Sequence, residues 1–176
     1  FLVALGCVSA FPMTVQADTG YEVYPNPHTM SYSNGDYEMT SQVNVVYEDG
    51  IDADTKARLN EVLELKGMSA SVSSEKKAGK TNILVGIKNS NQYVDQHFGS
   101  YSNSGLFDKL DSYALKSDKG TISILGKDTD AAFYGLTSLY HIFKQIEGKT
   151  IRNFSIEDYA DVASRGFIEG YYGNPW

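Results

Sequence analysis

The sequence predicts a mixed α/β fold (α+β mixed) in which one sheet is packed by two helices. Short β-branched runs such as 43–47 and 82–87 predict strands, and apolar residues at helical spacing predict two amphipathic helices. A chain of 176 residues can also bury one good core. We therefore expect one α/β domain over residues 18–160, a short apolar segment before it, and the start of a second domain at 161–176.

The first predicted elements are a loop, a strand and a helix. Residues 21–39 are rich in Tyr, Pro, Asn and Ser, which predicts a loop. The run 43–47 alternates as a strand should. Either Asp52 or Asp54 can cap the helix that follows, which continues to Leu65 and is stopped by a glycine two residues later.

The middle of the chain predicts two further strands and a hairpin. Strands are expected near 70–73 and at 82–87, and the second has the apolar composition of a fully buried strand. Residues 113–117 and 121–125 form two short runs separated by Asp118, Lys119 and Gly120. This spacing predicts a hairpin whose glycine takes the positive φ.

A second helix and a final strand complete the predicted domain. The helix begins after Asp128 and Asp130 and ends at Gly148, and a strand is expected at 151–156. The two aspartates could be mistaken for metal ligands, but helix capping explains them better. The core face of the helix is predicted from its apolar spacing, namely Ala132, Leu136, Leu139, Phe143 and Ile146.

Composition argues against several classes of function. The chain has 22 acidic and 15 basic residues and a formal net charge of -7, whereas nucleic-acid binding requires clustered Lys and Arg. The one basic cluster, Lys76 and Lys77 with Lys80, predicts a solvated loop. We expect no nucleic-acid partner.

The histidines show no metal-binding spacing. His28, His97 and His141 are isolated from one another along the chain, so surface or structural roles are expected. Serine nucleophile elbows, phosphate-cradling loops and zinc-type cysteine pairs do not occur in the sequence. We expect neither a metal nor another cofactor.

The amino end has the character of a secretion signal. Residues 1–15 are apolar and uncharged, and the residues before Asp18 resemble a signal-peptidase site, which predicts a partial secretory signal peptide at 1–17 and a secreted protein. An internal core strand and a lipoprotein site at Cys7 are alternatives. A membrane span is not expected, because Pro12 interrupts a run shorter than the roughly 20 apolar residues needed.

The segment 165–176, RGFIEGYYGNPW, is the most informative in the chain. An apolar run is broken by Gly170, Gly173 and Pro175, which predicts a strand leading into a sharply bent loop. Its tyrosines and Trp176 could form a concave aromatic wall suited to stacking on a sugar ring. A core strand followed by an ordinary aromatic turn is the alternative.

This segment resembles the opening strand and loop of the catalytic barrel in glycoside hydrolase family 84, the β-N-acetylglucosaminidases that include bacterial hyaluronidases and O-GlcNAc hydrolases. The family signature is Arg-Gly, two or three apolar residues, Glu-Gly-aromatic-Tyr-Gly, any residue, Pro-Trp. Every element is matched, with Tyr171 as the aromatic residue and Asn174 at the free position. The resemblance implies that 161–176 begins a (β/α)₈ barrel, which takes about 250 residues in full.

The resemblance also implies a mechanism and a substrate. Family members hydrolyse β-linked N-acetylglucosamine with retention, using the substrate's own acetamido oxygen as nucleophile and two neighbouring aspartates. The resemblance implies that these aspartates lie on later strands of the barrel, so we expect no catalytic residue in this chain, and the absence of an adjacent Asp-Asp pair from the 176 residues agrees with that placement. Gly170 is the residue expected to bind substrate, through main chain that lies against the sugar hydroxyls. Glu169 is expected to have a structural role.

The predicted domain looks like the small α/β module that precedes the barrel in hexosaminidases of families 84 and 20. Its helix carries Phe133, Tyr134, Gly135 and Leu136, similar to the aromatic-Tyr-Gly-Leu helix found there. The implied partners are β-linked N-acetylglucosamine glycans or glycoproteins, and nothing in the sequence indicates an oligomer. A secreted non-catalytic glycan-binding module and a family 20 β-hexosaminidase are the alternative functions.

Overall fold

The structure, a computed structural model, describes residues 20–163. The predicted signal peptide at 1–17 and the signature segment 165–176 therefore lie outside the described residues. The elements in chain order are β1 Thr29–Glu38, β2 Gln42–Tyr47, α1 Ala53–Glu64, β3 Ser69–Val72, β4 Asn82–Ile87, α2 Tyr93–His97, a 3₁₀ turn Leu106–Asp108, β5 Leu110–Asp118, β6 Thr121–Gly126, α3 Thr129–Gln145 and β7 Thr150–Ala160.

The seven strands form one mixed sheet in the order β1-β7-β5-β6-β4-β2-β3. Neighbouring strands are antiparallel from β1 to β6 and parallel from β6 to β3. The β5–β6 pair is the predicted hairpin, and Gly120 in its turn has φ +80° as expected. The prediction of a mixed α/β fold is confirmed.

The main core lies between one face of the sheet and the helices α1 and α3. Leu59 and Val62 of α1 and Leu136 and Leu139 of α3 are fully buried there, together with Val45 of β2. The helical spacing in the sequence predicted this arrangement. The two helices begin at predicted caps, because Asp52 accepts from the Thr55 amide and Asp128 from the Ala131 amide. Asp54 and Asp130, the other predicted capping residues, lie in the first turns of the helices instead.

The opposite face of the sheet is also covered, which the sequence did not predict. Val46 alternates with Val45 along β2 and packs with Val94 of α2. Farther along the same face, Ala114 and Leu125 pack with Leu106 of the 3₁₀ turn. The segment between β4 and β5 thus shields two smaller hydrophobic clusters.

The prediction of a loop over residues 21–39 was wrong in its second half, which forms β1. Among residues 20–163 this strand pairs with β7 alone, at the edge of the sheet, and its register shifts between Tyr32 and Asp36. Gly35 lies in that bulge with φ +102°. The turn-forming residues that suggested a loop belong to this bulged edge strand.

Candidate functional site

A cleft of about 380 Å³ lies beside the carboxyl end of β7, where the described part of the chain ends at Ala163. We call it the β7 cleft. Its walls come from the end of β7, the start of β5, the helix α3 and residues 24–28. The lining side chains used below are Tyr24, His28, Asp111, Tyr113, Tyr134 and Asp158.

One wall of the β7 cleft belongs to residues 20–28, which we call the strap. The strap crosses to α3, where the backbone of Glu22 exchanges two hydrogen bonds with the side-chain amide of Gln145, at 2.8 and 2.6 Å. The Tyr24 amide donates to Nδ1 of His141 at 3.4 Å. Val23, only 3% exposed, anchors the strap in the main core.

At its far end the strap is held by His28. Its Nδ1 lies 2.8 Å from Oδ1 of Asp158 and its Nε2 lies 3.1 Å from Oδ1 of Asp161. The imidazole also stacks on Tyr159, with 3.7 Å between ring centroids. The hydrogen bond to Asp158, reinforced by Asp161, raises the pKa of His28 above its ordinary value despite the opposing effect of burial.

Asp158 joins the strap to the floor of the cleft. It accepts the backbone amide of His28 at 3.1 Å and the hydroxyl of Tyr113 at 3.3 Å. The Tyr113 hydroxyl also lies 2.6 Å from Oγ of Ser138 on α3. Burial, followed by the negative charge of Asp158, raises the pKa of Tyr113 far above its ordinary value, so this phenol is neutral and acts as a structural hydrogen-bonding group.

The mouth of the cleft is aromatic. Tyr24 and Tyr134 are 64% and 46% exposed, unusually high for large rings. Asp111 lies in a bulge of β5 with φ +51°, a conformation that few residues other than glycine adopt. Exposed rings beside carboxylates can bind a sugar face or another part of a protein.

The described cleft residues do not assemble a catalytic group. The Ser138 hydroxyl pairs with Tyr113, and the imidazole of His28 is occupied by two carboxylates, so a nucleophile and its base are not brought together. Within residues 20–163, no group of three or more potential metal ligands is clustered. None of the helices in that part of the chain is long and apolar enough to cross a membrane.

Two buried carboxylates were missed in the sequence. Glu157, 5% exposed, accepts from the Ser102 amide and hydroxyl and, at 2.9 Å, from the Asn103 amide. Glu48, 3% exposed, accepts from the Ile87 and Asp95 amides, both at 2.7 Å. Both acids hold the β4–β5 segment against the sheet, and neither faces the β7 cleft.

The predicted substrate-binding residue, Gly170, and the neighbouring Glu169 lie outside the described residues. The other predicted positions fall within them. Asp128 is a helix cap, and the three histidines are dispersed. His28 is the last residue of the strap, His141 accepts from Tyr24 in its middle, and His97 contacts the Tyr93 carbonyl within α2. Residues 20–163 therefore define an α/β module whose cleft is suited to binding or docking.

Comparison with known proteins identifies this module. Residues 20–159 match the family model described as glycosyl hydrolase family 20, domain 2. The chain belongs to that family. The match spans most of the domain predicted at 18–160.

Solved structures similar to this chain include family 84 proteins. The structure titled CpGH84D has a TM-score of 0.84 and 46% identity over 89% of this chain and 27% of its own, which confirms the resemblance to family 84. CpGH84B has a TM-score of 0.71 at 22% identity, over 89% and 26% of the two chains. A beta-N-acetylhexosaminidase from Bacteroides fragilis NCTC 9343 has a TM-score of 0.53 at 16% identity, over 79% of this chain and 25% of its own. The chain thus spans about a quarter of the length of each, and the last two support the fold alone.

Proposed function

We propose that this chain is the amino-terminal part of a retaining β-N-acetylglucosaminidase. The observation that carries the proposal is the 46% identity to CpGH84D over 89% of this chain. The signature at 165–176 supports it independently, because it lies directly after the matched module. The module then leads into a (β/α)₈ barrel that begins within 161–176.

The proposed reaction follows the resemblance to family 84. The acetamido oxygen of the bound sugar attacks the anomeric carbon as the glycosidic bond breaks, and an aspartic acid gives its proton to the leaving oxygen. A second aspartate orients the acetamido group. Water then opens the cyclic intermediate and returns a proton to the first aspartate, which preserves the β configuration. Both aspartates would lie beyond Trp176, so the 176-residue chain alone is expected to be inactive.

Gly170 is proposed to bind the substrate. Its lack of a Cβ would let the main chain approach the hydroxyls of the terminal N-acetylglucosamine. Glu169, the adjacent carboxylate, is proposed to hold the barrel mouth through hydrogen bonds. Neither metal nor cofactor enters this chemistry.

Secretion is a further part of the proposal. The apolar, uncharged residues 1–15 and the small residues before Asp18 support export of the mature chain through a signal peptide at 1–17. Amino-terminal sequencing of the exported protein tests this, and a mature protein that retains residues 1–17 would contradict it.

The enzyme proposal is tested on the full-length protein with an aryl β-N-acetylglucosaminide. Proton NMR during the first turnovers should show the β-anomer of N-acetylglucosamine before mutarotation. The 176-residue chain is the matched control and should release nothing. An α-anomer, or full activity in the 176-residue chain, would overturn the mechanism.

The same preparation distinguishes the possible substrates. Hyaluronan oligosaccharides, mucin-type glycans and O-GlcNAc peptides present the same terminal sugar on different aglycones. We propose O-GlcNAcase-like or hyaluronidase-like use of the terminal sugar, and the ratio of kcat/KM values among these three substrates decides between them.

A glycan-binding module is the second candidate. It is favoured by one observation, the exposed Tyr24 and Tyr134 at the mouth of the β7 cleft. Titration of the 176-residue chain with chitooligosaccharides should then shift the NMR signals of these two rings and of Asp111. Unchanged signals at millimolar sugar would remove this candidate without affecting the enzyme proposal.

A further inference from the structure

The strap is fastened by two histidines whose hydrogen bonds require opposite protonation states. In the middle of the strap, the Tyr24 amide donates to Nδ1 of His141. A nitrogen that accepts a hydrogen bond must carry a lone pair, so this contact requires neutral His141. Protonation of His141 places a hydrogen on both ring nitrogens, so the Nδ1–H group would then face the N–H group of Tyr24 and the hydrogen bond would be lost.

At the carboxyl end of the strap, both ring nitrogens of His28 face carboxylates. Nδ1 contacts Asp158 and Nε2 contacts Asp161. A neutral imidazole has one N–H and can serve only one of these two acceptors, whereas imidazolium serves both and adds charge attraction. This end of the strap is held best when His28 is protonated.

The surroundings of the two rings agree with these requirements. The groups facing His28 are acidic or aromatic: Asp158, Asp161 and Tyr159 from the end of β7, with Asp111 and Tyr113 of β5 lining the same cleft. The ammonium of Lys109 lies 5.6 Å from the centroid of the Tyr159 ring on which His28 stacks.

The groups near His141 have the opposite charge. Burial and then the positive charges of Lys144 on its own helix and Arg58 on α1 lower the pKa of His141. The strap contributes the Tyr24 amide, and Tyr140 contributes an edge-on ring 6.4 Å away. His28 therefore loses its favoured, protonated state as pH rises above neutrality, whereas His141 loses its favoured, neutral state as pH falls below it.

We propose that the strap is a pH-gated fastening that is fully held only within a window of pH, releasing at the Tyr24–His141 contact in acid and at the His28 end in mild base. Because the pKa of His28 is raised and that of His141 is lowered, their contributions to stability change with pH in opposite directions. The His28 contribution is complete below about pH 6.5 and is lost as pH rises through its folded pKa. The His141 contribution is complete above about pH 6.5 and is lost as pH falls through its folded pKa.

The strap matters because of what it touches. It forms a wall of the β7 cleft, and through His28 it contacts Asp158 in β7 and Asp161 just after the strand. Release of His28 would free these two carboxylates. The fastening concerns the module itself and does not depend on the proposed hydrolase activity.

Amide hydrogen exchange by NMR on the 176-residue chain tests this, with rates corrected for intrinsic pH dependence. The protection factor of the Tyr24 amide should fall between pH 6.5 and 5, and that of the His28 amide should fall between pH 6.5 and 8. A pKa displaced by one from its ordinary value corresponds to about a tenfold change in the opening equilibrium. Two profiles that move together, or that stay flat, would overturn the proposal.

Two variants test the His141 contact and the His28 contact separately. In His141→Gln the side-chain oxygen still accepts from Tyr24 but does not titrate, so the acidic fall should disappear while the basic fall persists. In Asp161→Asn the acceptor is retained without its charge, so the pKa of His28 should move toward its ordinary value and the basic fall should shrink.

His97→Gln is the matched control. His97 lies on α2 and contacts the Tyr93 carbonyl, away from the strap. Both the acidic and the basic fall in protection should persist in this variant. If the acidic fall in Tyr24 protection persists in His141→Gln, another group causes it, and the two-histidine fastening is refuted.

Discussion

Glu157 illustrates how one acid can hold a loop to a sheet. It lies on β7, is 5% exposed, and accepts three hydrogen bonds from Ser102 and Asn103. Burial alone would raise the pKa of Glu157, but these hydrogen bonds outweigh it and leave the pKa below its ordinary value. The carboxylate therefore stabilises the fold above about pH 4.5, and this contribution is lost as pH falls through the lowered folded pKa.

Glu157→Gln should lower the free energy of unfolding by about 1–3 kcal/mol, because an amide presents one oxygen and a donor to groups that are themselves donors. Urea unfolding at pH 7 measures the loss. The difference from the parent should shrink on going from pH 7 to pH 3, since the carboxylate of the parent then protonates. Glu64→Gln, at an exposed position on α1, is the control and should change stability by no more than about 0.5 kcal/mol. An equal effect at the two sites would contradict this account.

Asp128 and Asp130 separate capping from metal binding. Asp128 accepts from the Ala131 amide at 2.9 Å, whereas Asp130 is an exposed residue in the first turn of α3. Asp128→Ala should therefore cost about 1 kcal/mol in thermal or urea unfolding, and Asp130→Ala no more than about 0.5 kcal/mol. Added divalent cations should not alter either difference, and cation-dependent stability lost in both variants would favour a metal site instead.

Among the elements, α3 shows what a motif glycine does. Gly135, from the aromatic-Tyr-Gly-Leu sequence, faces the sheet, and a Cβ there would lie 2.8 Å from Cγ2 of Ile124 and 3.1 Å from the Tyr113 ring. Both neighbours are buried core residues. The glycine thus sets how closely the helix approaches β5 and β6.

Gly135→Ala should destabilise the module by about 1–3 kcal/mol, even though alanine favours a helix by about 1 kcal/mol over glycine. Gly105→Ala is the control, because a Cβ there meets nothing closer than 3.7 Å and the backbone φ is −96°. Differential scanning calorimetry compares the two. A stabilised Gly135→Ala variant would show that the helix can shift outward at little cost.

The elements also show what a sequence can and cannot predict. The strand at 82–87, the hairpin around Gly120 and the cap at Asp128 depend on neighbours in sequence, and these predictions were confirmed. By contrast, β1 has a turn-like composition and is a strand only because β7 lies beside it. Glu48 was missed because its donors are 39 to 47 residues away along the chain.

For the whole molecule, the described module and the signature segment are proposed to have separate tasks. The module supplies a sheet covered on both faces, a strap and a cleft beside the carboxyl end of β7, but no assembled catalytic group among residues 20–163. Under the proposed function, chemistry and sugar recognition belong to the barrel that begins after the module. Stability and substrate affinity should therefore respond to different glycines.

Gly170→Ala in the full-length protein should raise KM for an aryl β-N-acetylglucosaminide about tenfold or more, equivalent to about 1.4 kcal/mol, because the added methyl group separates main chain from sugar hydroxyls. The unfolding of the module, followed by hydrogen exchange of its core amides, should not change. Gly135→Ala is the reciprocal control, with lower core protection and an unchanged KM at a temperature where the protein is folded. If Gly170→Ala left KM unaltered while Gly135→Ala raised it, the sugar site would have to be sought beside α3, in the β7 cleft, and the assignment of Gly170 would be wrong.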